Sequence, residues 1–240
     1  MSDQTIQMAF DNLFEDGLIT ELNYTVKSGK EATVFCCKAG DTLDDEYVAV
    51  KVYRPRQFRS FKNDNSYQAG RVKDKRMRKA FKKKTRKWHQ YQEVSWVSEE
   101  FETMCLLYTA GVNIPRPYDC AHGAIIMEYL GDEDGPAIQL KDVRLDQRQA
   151  QPLFDALIRD IALALACNRI HADLSPFNIL YWNGSLVIID FPQAVDPYSN
   201  SNAFTMFARD IDNVCAYFNR YGVDADAYFL ARRLWFEAGF

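Results

Sequence analysis

The stretch NRIHADLSPFNILYWNGSLVIIDFPQA, Asn168 to Ala194, sets Asp173, Asn178 and Asp190 around two runs of strand-forming residues. A buried strand favours Val, Ile and aromatic side chains. The polar residues beside NIL and LVIID are therefore candidates for chemistry rather than packing. HADLSPFN reads as a loop leading into a short strand. LVIID reads as the buried neighbouring strand, ending in Asp190. Pro192 then fixes its own φ near −65° and removes a backbone donor, which predicts that the loop after Asp190 stays turned inward.

Before this stretch, residues 4–16 place Ile6, Phe10, Leu13 and Phe14 at helical spacing, with Gly17 as the stop. ELNYTVKSGKEATVFCCKAGDTLDDEYVAVKVYR reads as strand, tight turn (Lys27 to Ala32), strand, acidic loop and strand, the last being Tyr47 to Tyr53. Residues 56–87 are polar and basic, and predict a long flexible insertion. Trp96, Val97, Phe101, Met104 and Leu107 recur on one side of a helix from Trp88 to Tyr108, which AGVNIP terminates. AIIMEYLG is a strand entering a loop. AQPLFDALIRDIALALACNRI is a helix whose apolar positions nearly encircle it, which predicts burial on all sides. Two further helices follow, from about Ala203 to Tyr221 and near the last residue. Strands come first, with one helix among them, and helices dominate afterwards. The expected class is α+β in two lobes, with a helical extension over 1–20, an N-lobe over 21–130 containing the basic insertion 56–87, and a reduced, mostly helical C-lobe over 131–240. A cleft between the lobes is the default ligand site.

The chain has 240 residues, enough for such a core. Its net charge of −4 excludes a generally basic nucleic-acid binder, yet Arg71 to Lys87 alone carries +10, leaving −14 elsewhere. That basic arm is a candidate contact for RNA or an acidic partner, although its aromatics are too sparse for a stacking platform. The bland alternative is a solvated loop. The six cysteines form no CxxC pair and read as reduced thiols. No signal peptide or membrane span is expected, which together with the thiols points to the cytoplasm.

Transfer of the γ-phosphoryl group of ATP needs N–H groups and a cation over the phosphates, oxygen ligands for Mg²⁺, and a carboxylate beside the attacking hydroxyl. Lys51 lies in VAVK on a strand, as in the V-A-I-K pattern, and Glu100, with Glu99 as the neighbouring alternative, sits in the next helix to pair with it. HADLSPFN fits H-x-D-L-x-x-x-N, with Asp173 and Asn178. IDFP supplies Asp190 where the D-F-G aspartate falls. Each match alone is weak. Four in the right order, each in its required context, outweigh a reading of Asp173 as a turn residue and Asn178 as a cap. His171 reads as a brace for the loop rather than a base. Asp210 is either a hydrogen-bond acceptor for that loop's backbone or a helix N-terminal acid.

With SGKEA (Ser28 to Ala32), MEYLG (Met127 to Gly131), IHADLSPFNIL and IIDFPQAV, the chain resembles the RIO atypical serine protein kinases over about residues 15 to 220. Its long basic insertion is most similar to the first RIO subfamily, and its lack of long charged tails to bacterial members. The resemblance implies ATP with Mg²⁺ or Mn²⁺ as cofactors. It implies Asp173 as the catalytic aspartate and Asn178 and Asp190 as metal ligands, with Asp190 also a site of phospho-aspartate formation. Lys51, steadied by Glu100, would grip the phosphates. Ser28 and Lys30 would cover the triphosphate, and the backbone of Glu128 and Leu130 would bind adenine beside Met127. Ala172 stands where many kinases carry Arg, and about a dozen residues separate Asp190 from the next helix, so no activation segment is expected.

Three functions compete with an autophosphorylating serine/threonine kinase. An ATPase switch in ribosome or ribonucleoprotein maturation would use the same residues and a different phosphate acceptor. A small-molecule phosphotransferase is disfavoured by the HAD and DFP sequences and by the small size of the chain after Asp190. A non-catalytic scaffold predicts a missing Lys, Asp or Asn, and none is missing.

Overall fold

The computed structural model describes residues 2–54, 86–132 and 134–240, for 2–3 and 86–95 in backbone only. The chain divides into two compact units. One holds the described parts of residues 1–64 and 72–102 together with Pro115–Leu130, and the other holds Thr103–Ile114 and Gly131–Phe240. The basic arm at 71–87 falls almost entirely outside the described residues.

In the first unit, α1 (Ser2–Glu15) precedes β1 (Ile19–Ser28), β2 (Ala32–Ala39) and β3 (Tyr47–Tyr53). β4 (Pro117–Ala121) and β5 (Ala124–Glu128) complete an antiparallel sheet in the order β1-β2-β3-β5-β4. Alternation sends Val48, Val50 and Val52 of β3 into a core with Ala9, Phe10 and Leu13 of α1, Ile19, Phe35, Cys37 and Ile126. Lys51 must then point to the other face of the sheet. Its register partners are Val34 on β2 and Ile125 on β5. α1 ends at Gly17, which takes φ +68°. The exit of β2 crosses so close to it that a Cβ on Gly40 would lie 1.8 Å from the Gly17 carbonyl oxygen. α2 (Arg86–Thr109) contributes its residues through Glu102 to this unit and Thr103 onward to the second.

The second unit opens with two short strands, β6 (Gly131–Asp132) and β7 (Gly135–Pro136). β8 (Ile138–Gln139), a 3₁₀ turn over Leu140–Asp142 and α3 (Gln147–Ala166) follow. α3 starts at a reciprocal cap: Gln149 N–H donates to Asp146 Oδ1 (2.8 Å), and Asp146 N–H donates to Gln149 Oε1 (3.2 Å). It is amphipathic rather than buried all round. Leu153, Leu157, Ile161 and Leu165 are buried, while Leu163 is 41% exposed. Asp155 and Arg159 form an exposed charged face, so the helix is not buried on all sides as its apolar content predicts. β9 (Ile179–Trp182) pairs antiparallel with β10 (Ser185–Ile188) and with β8. α4 (Ala203–Asn219) and α5 (Ala227–Glu237) close the chain. Among the described residues no helix is long and apolar enough to cross a membrane.

Leu13 is fully buried, whereas Met8 on the same helix is 65% exposed. Urea unfolding should show Leu13→Ala losing about 2–5 kcal/mol and Met8→Ala staying within about 0.5 kcal/mol of the parent. Equal effects would mean that α1 does not belong to the sheet's core.

Candidate active site

Within the first unit, Lys51 Nζ meets Glu100 Oε1 at 2.7 Å, and both side chains are almost wholly buried. Tyr53, two residues along the same face of β3, donates its hydroxyl to the other oxygen of Glu100. Its ring lies 5.2 Å from the Lys51 ammonium. Breaking a buried pair by removing one partner typically costs about 3–5 kcal/mol, so this arrangement fixes Glu100 rather than Glu99 on Lys51. The β1–β2 turn is closed by Gly29 N–H on Ala32 O (2.9 Å). Arg54 binds this turn through its backbone N–H on Glu31 O (2.8 Å) and its guanidinium on Ser28 Oγ (2.9 Å). Ser28 and Lys30 are both solvent-exposed. At the end of β5, Glu128 N–H donates to Arg116 O (2.8 Å). The Glu128 N–H is thus already taken within the sheet.

Within the second unit, the loop leading into β9 and the segment following β10 carry the other candidates. Ala172 takes φ +65° and Asp190 φ +74°. Such left-handed backbone on a non-glycine residue costs on the order of 1–3 kcal/mol and persists only where the surroundings impose it. At Ala172 the imposing group is visible. Asp210 of α4 accepts from the N–H of Ala172 (2.7 Å) and of Leu174 (3.0 Å). Arg209 donates to Ala172 O, Asn213 Nδ2 to Leu174 O (2.9 Å), and Asn178 Nδ2 to Asp173 O (3.0 Å). Nearly every backbone polar group around Asp173 therefore has a side-chain partner. Ala172 and Leu174 are buried, and Asp173 between them is exposed. Ile189 N–H donates to Asn178 O (3.0 Å), joining the end of β10 to the loop just before Asp190. His171 Nε2 bonds Ile189 O (3.0 Å), and its ring lies 5.0 Å from that of buried Phe191.

Partial burial raises the Asp173 carboxyl above the ordinary aspartate range, and the nearby Asp190 charge adds to the rise. His171, Arg209 and Asn178 pull it down. Burial pushes Asp210 up to about 7, against the two N–H donors and Arg209, which favour its charge. Asn178 uses its amide nitrogen on Asp173, so its remaining polar end is a carbonyl oxygen. That oxygen and the exposed Asp190 carboxylate are hard donors of the kind Mg²⁺ takes, with water and phosphate filling its other positions. Among the described residues no three His, Cys, Asp or Glu side chains gather as a metal-holding cluster.

Lys51 and Glu100 thus meet in one unit, and Asp173, Asn178 and Asp190 meet in the other. Tyr53, Arg54, Arg209 and Asn213 also belong to these clusters and escaped the sequence reading. Tyr53 was the most accessible of them, because residues i and i+2 of a strand share a face.

The antiparallel sheet, the helix bearing Glu100 and the β9–β10 pair define a protein-kinase-like α+β fold. Consistent with that, the crystal structure of the Rio2 kinase-ADP/Mg2+-phosphoaspartate complex from Chaetomium thermophilum superposes with TM-score 0.66 at 22% identity, over 94% of this chain and 65% of that one. Residues 33–229 match the RIO domain family model. The RIO-type serine/threonine-protein kinase Rio1 of Haloferax volcanii is 32% identical over 220 residues, covering 91% of this chain and 70% of its own length. Serine/threonine-protein kinase RIO1 of Caenorhabditis elegans is 29% identical and that of Homo sapiens 30%, each over 223 residues and 92% of this chain. The chain spans 42% and 37% of those two relatives. This chain belongs to the RIO family.

Asp210 also links folding to pH. Its carboxyl titrates near 3.9 in an unfolded chain and at about 7 when folded. The folded state therefore holds the extra proton between these values, and stability falls as pH rises. The contribution is fully present below about pH 4 and lost through about 7. Thermal unfolding from pH 4 to 8 should show the parent's margin over Asp210→Asn shrinking with pH. A constant margin would place the Asp210 proton elsewhere.

Proposed function

We propose that this chain transfers the γ-phosphoryl group of ATP to a serine or threonine hydroxyl. The observation that carries the reading is the strained, closely bonded loop that leaves Asp173 exposed with Asn178 and Asp190 beside it. Its relatives' names as serine/threonine kinases support it. Lys51, held by Glu100, grips the phosphates. Ser28 and Lys30 cover them, and adenine meets the Glu128 carbonyl and Leu130 N–H beside Met127. Asn178 and Asp190 would hold Mg²⁺ or Mn²⁺, which would neutralise charge on the phosphates. Asp173 orients the acceptor hydroxyl. The hydroxyl oxygen bonds to the γ-phosphorus, the bond to the β,γ-bridging oxygen breaks with its electron pair leaving on ADP, and the hydroxyl proton passes to Asp173. Its raised pKa brings this carboxylate closer to the range suited to accepting a proton.

A second reading makes Asp190 itself the acceptor. Its carboxylate oxygen would bond to the γ-phosphorus as ADP leaves, and water would then cleave the acyl phosphate. Two observations favour it: the exposed, left-handed Asp190 and the phosphoaspartate of the Rio2 kinase complex from Chaetomium thermophilum. Such an ATPase switch could act on a ribosomal particle or RNA through the basic segment 71–87, a reading supported by charge alone. Reduced cysteines fit a cytoplasmic setting.

Titration calorimetry and labelled ATP together test the roles. Asp173→Ala should bind ATP with nearly unchanged affinity and transfer phosphate at least about 10²-fold more slowly. Asp190→Ala should lose Mg²⁺-dependent nucleotide binding. Parental turnover in both variants would overturn the assignment.

A further inference from the structure

The loop that presents Asp173 exposes a second large side chain. Phe177 is 58% exposed, although Leu174 and Asn178 of the same loop are buried. A single exposed ring is ordinary on a protein surface. What separates this one is how firmly its backbone is held and where. Gln139 Nε2 donates to Phe177 O, Lys141 N–H donates to Pro176 O (3.1 Å), and Asn178 N–H donates to Ser175 O (2.8 Å). Lys141 also sets its ammonium, paired with Asp142, 5.4 Å from the centre of the Phe177 ring. Such a cation over an aromatic face is attractive and fixes the ring from outside the loop.

The Asn178 side chain returns to Asp173 O at 3.0 Å, closing the segment 173–178 upon itself. Phe177 is one residue from that closure, about 3.8 Å along the chain. The carboxylate that would orient the acceptor and a clamped apolar ring therefore emerge from one closed loop, with the rest of the loop turned inward or half-buried.

We infer that Phe177 is a specificity-determining contact for the acceptor, and that the acceptor is a protein segment with an apolar side chain near its reactive hydroxyl. This rests on the kinase reading. An apolar side chain docked on the ring removes both from water, and a contact of that size changes affinity about tenfold. The chain needs such a handle because its short path from Asp190 to α4 supplies no peptide platform.

Two sets of synthetic serine peptides test this, one with Phe scanned through the positions flanking the serine and the other with Ala there. The readout is the ratio of kcat/KM between matched peptides within each protein, so a general change in rate cancels. The parent should favour Phe at one or two positions by about tenfold. Phe177→Ala should bring that ratio below about twofold, and Phe177→Leu, still apolar, should keep most of it. A parent without preference, or a Phe177→Ala variant that retains it, overturns the inference. If no peptide is labelled while ATP is still hydrolysed in an Asp173-dependent manner, the docking inference fails and the ATPase reading stands. If ATP is not turned over at all, the phosphoryl-transfer reading itself fails.

Discussion

One buried carboxylate shapes the candidate active site. Asp210 takes the N–H groups of Ala172 and Leu174 from below the loop, and in doing so forces Asp173 outward. The backbone at Ala172 is left-handed without being glycine, an arrangement that would relax if its partners were withdrawn. Arg209 and Asn213, from the same helix, take the matching carbonyls. Burying an unpaired charge is costly. Asp210 is tolerated because two backbone donors and an arginine face it, although its raised pKa shows that burial still outweighs them.

The first unit solves a parallel problem. A lysine in the middle of a Val-rich strand would be a liability without a partner. Glu100 supplies one, and Tyr53 holds Glu100 in turn. Lys51 thus holds its ammonium at a defined point on the sheet face opposite the α1 core. Such preorganisation matters for phosphoryl transfer, where positioning and charge stabilisation dominate.

Much of this was legible in the sequence because the motifs are local. Alternation around Lys51 gave β3 with its observed bounds, Tyr47–Tyr53, and the order of VAVK, HADLSPFN and IDFP gave the fold class. β4 was not legible, since Pro115 and Pro117 and five half-buried residues hide a strand whose identity depends on pairing with β5. α3 misled in the opposite direction, because a count of apolar residues does not say which face they take. The Asp210 interaction was anticipated only as one of two options. Asp210 lies 36 to 38 residues from the loop positions it binds, and no local pattern signals such a tertiary hydrogen bond. Arg209 and Asn213 were hidden for the same reason.

The claim that α4 sets the geometry of the Asp173 loop is tested most directly by single-turnover transfer from saturating ATP in Asp210→Ala, with the ATP dissociation constant measured on the same protein. A misplaced reacting group should slow transfer about 10²-fold, with nucleotide affinity within about twofold of the parent because Asp210 touches no proposed nucleotide contact. Transfer at the parental rate would contradict the central role given to this carboxylate.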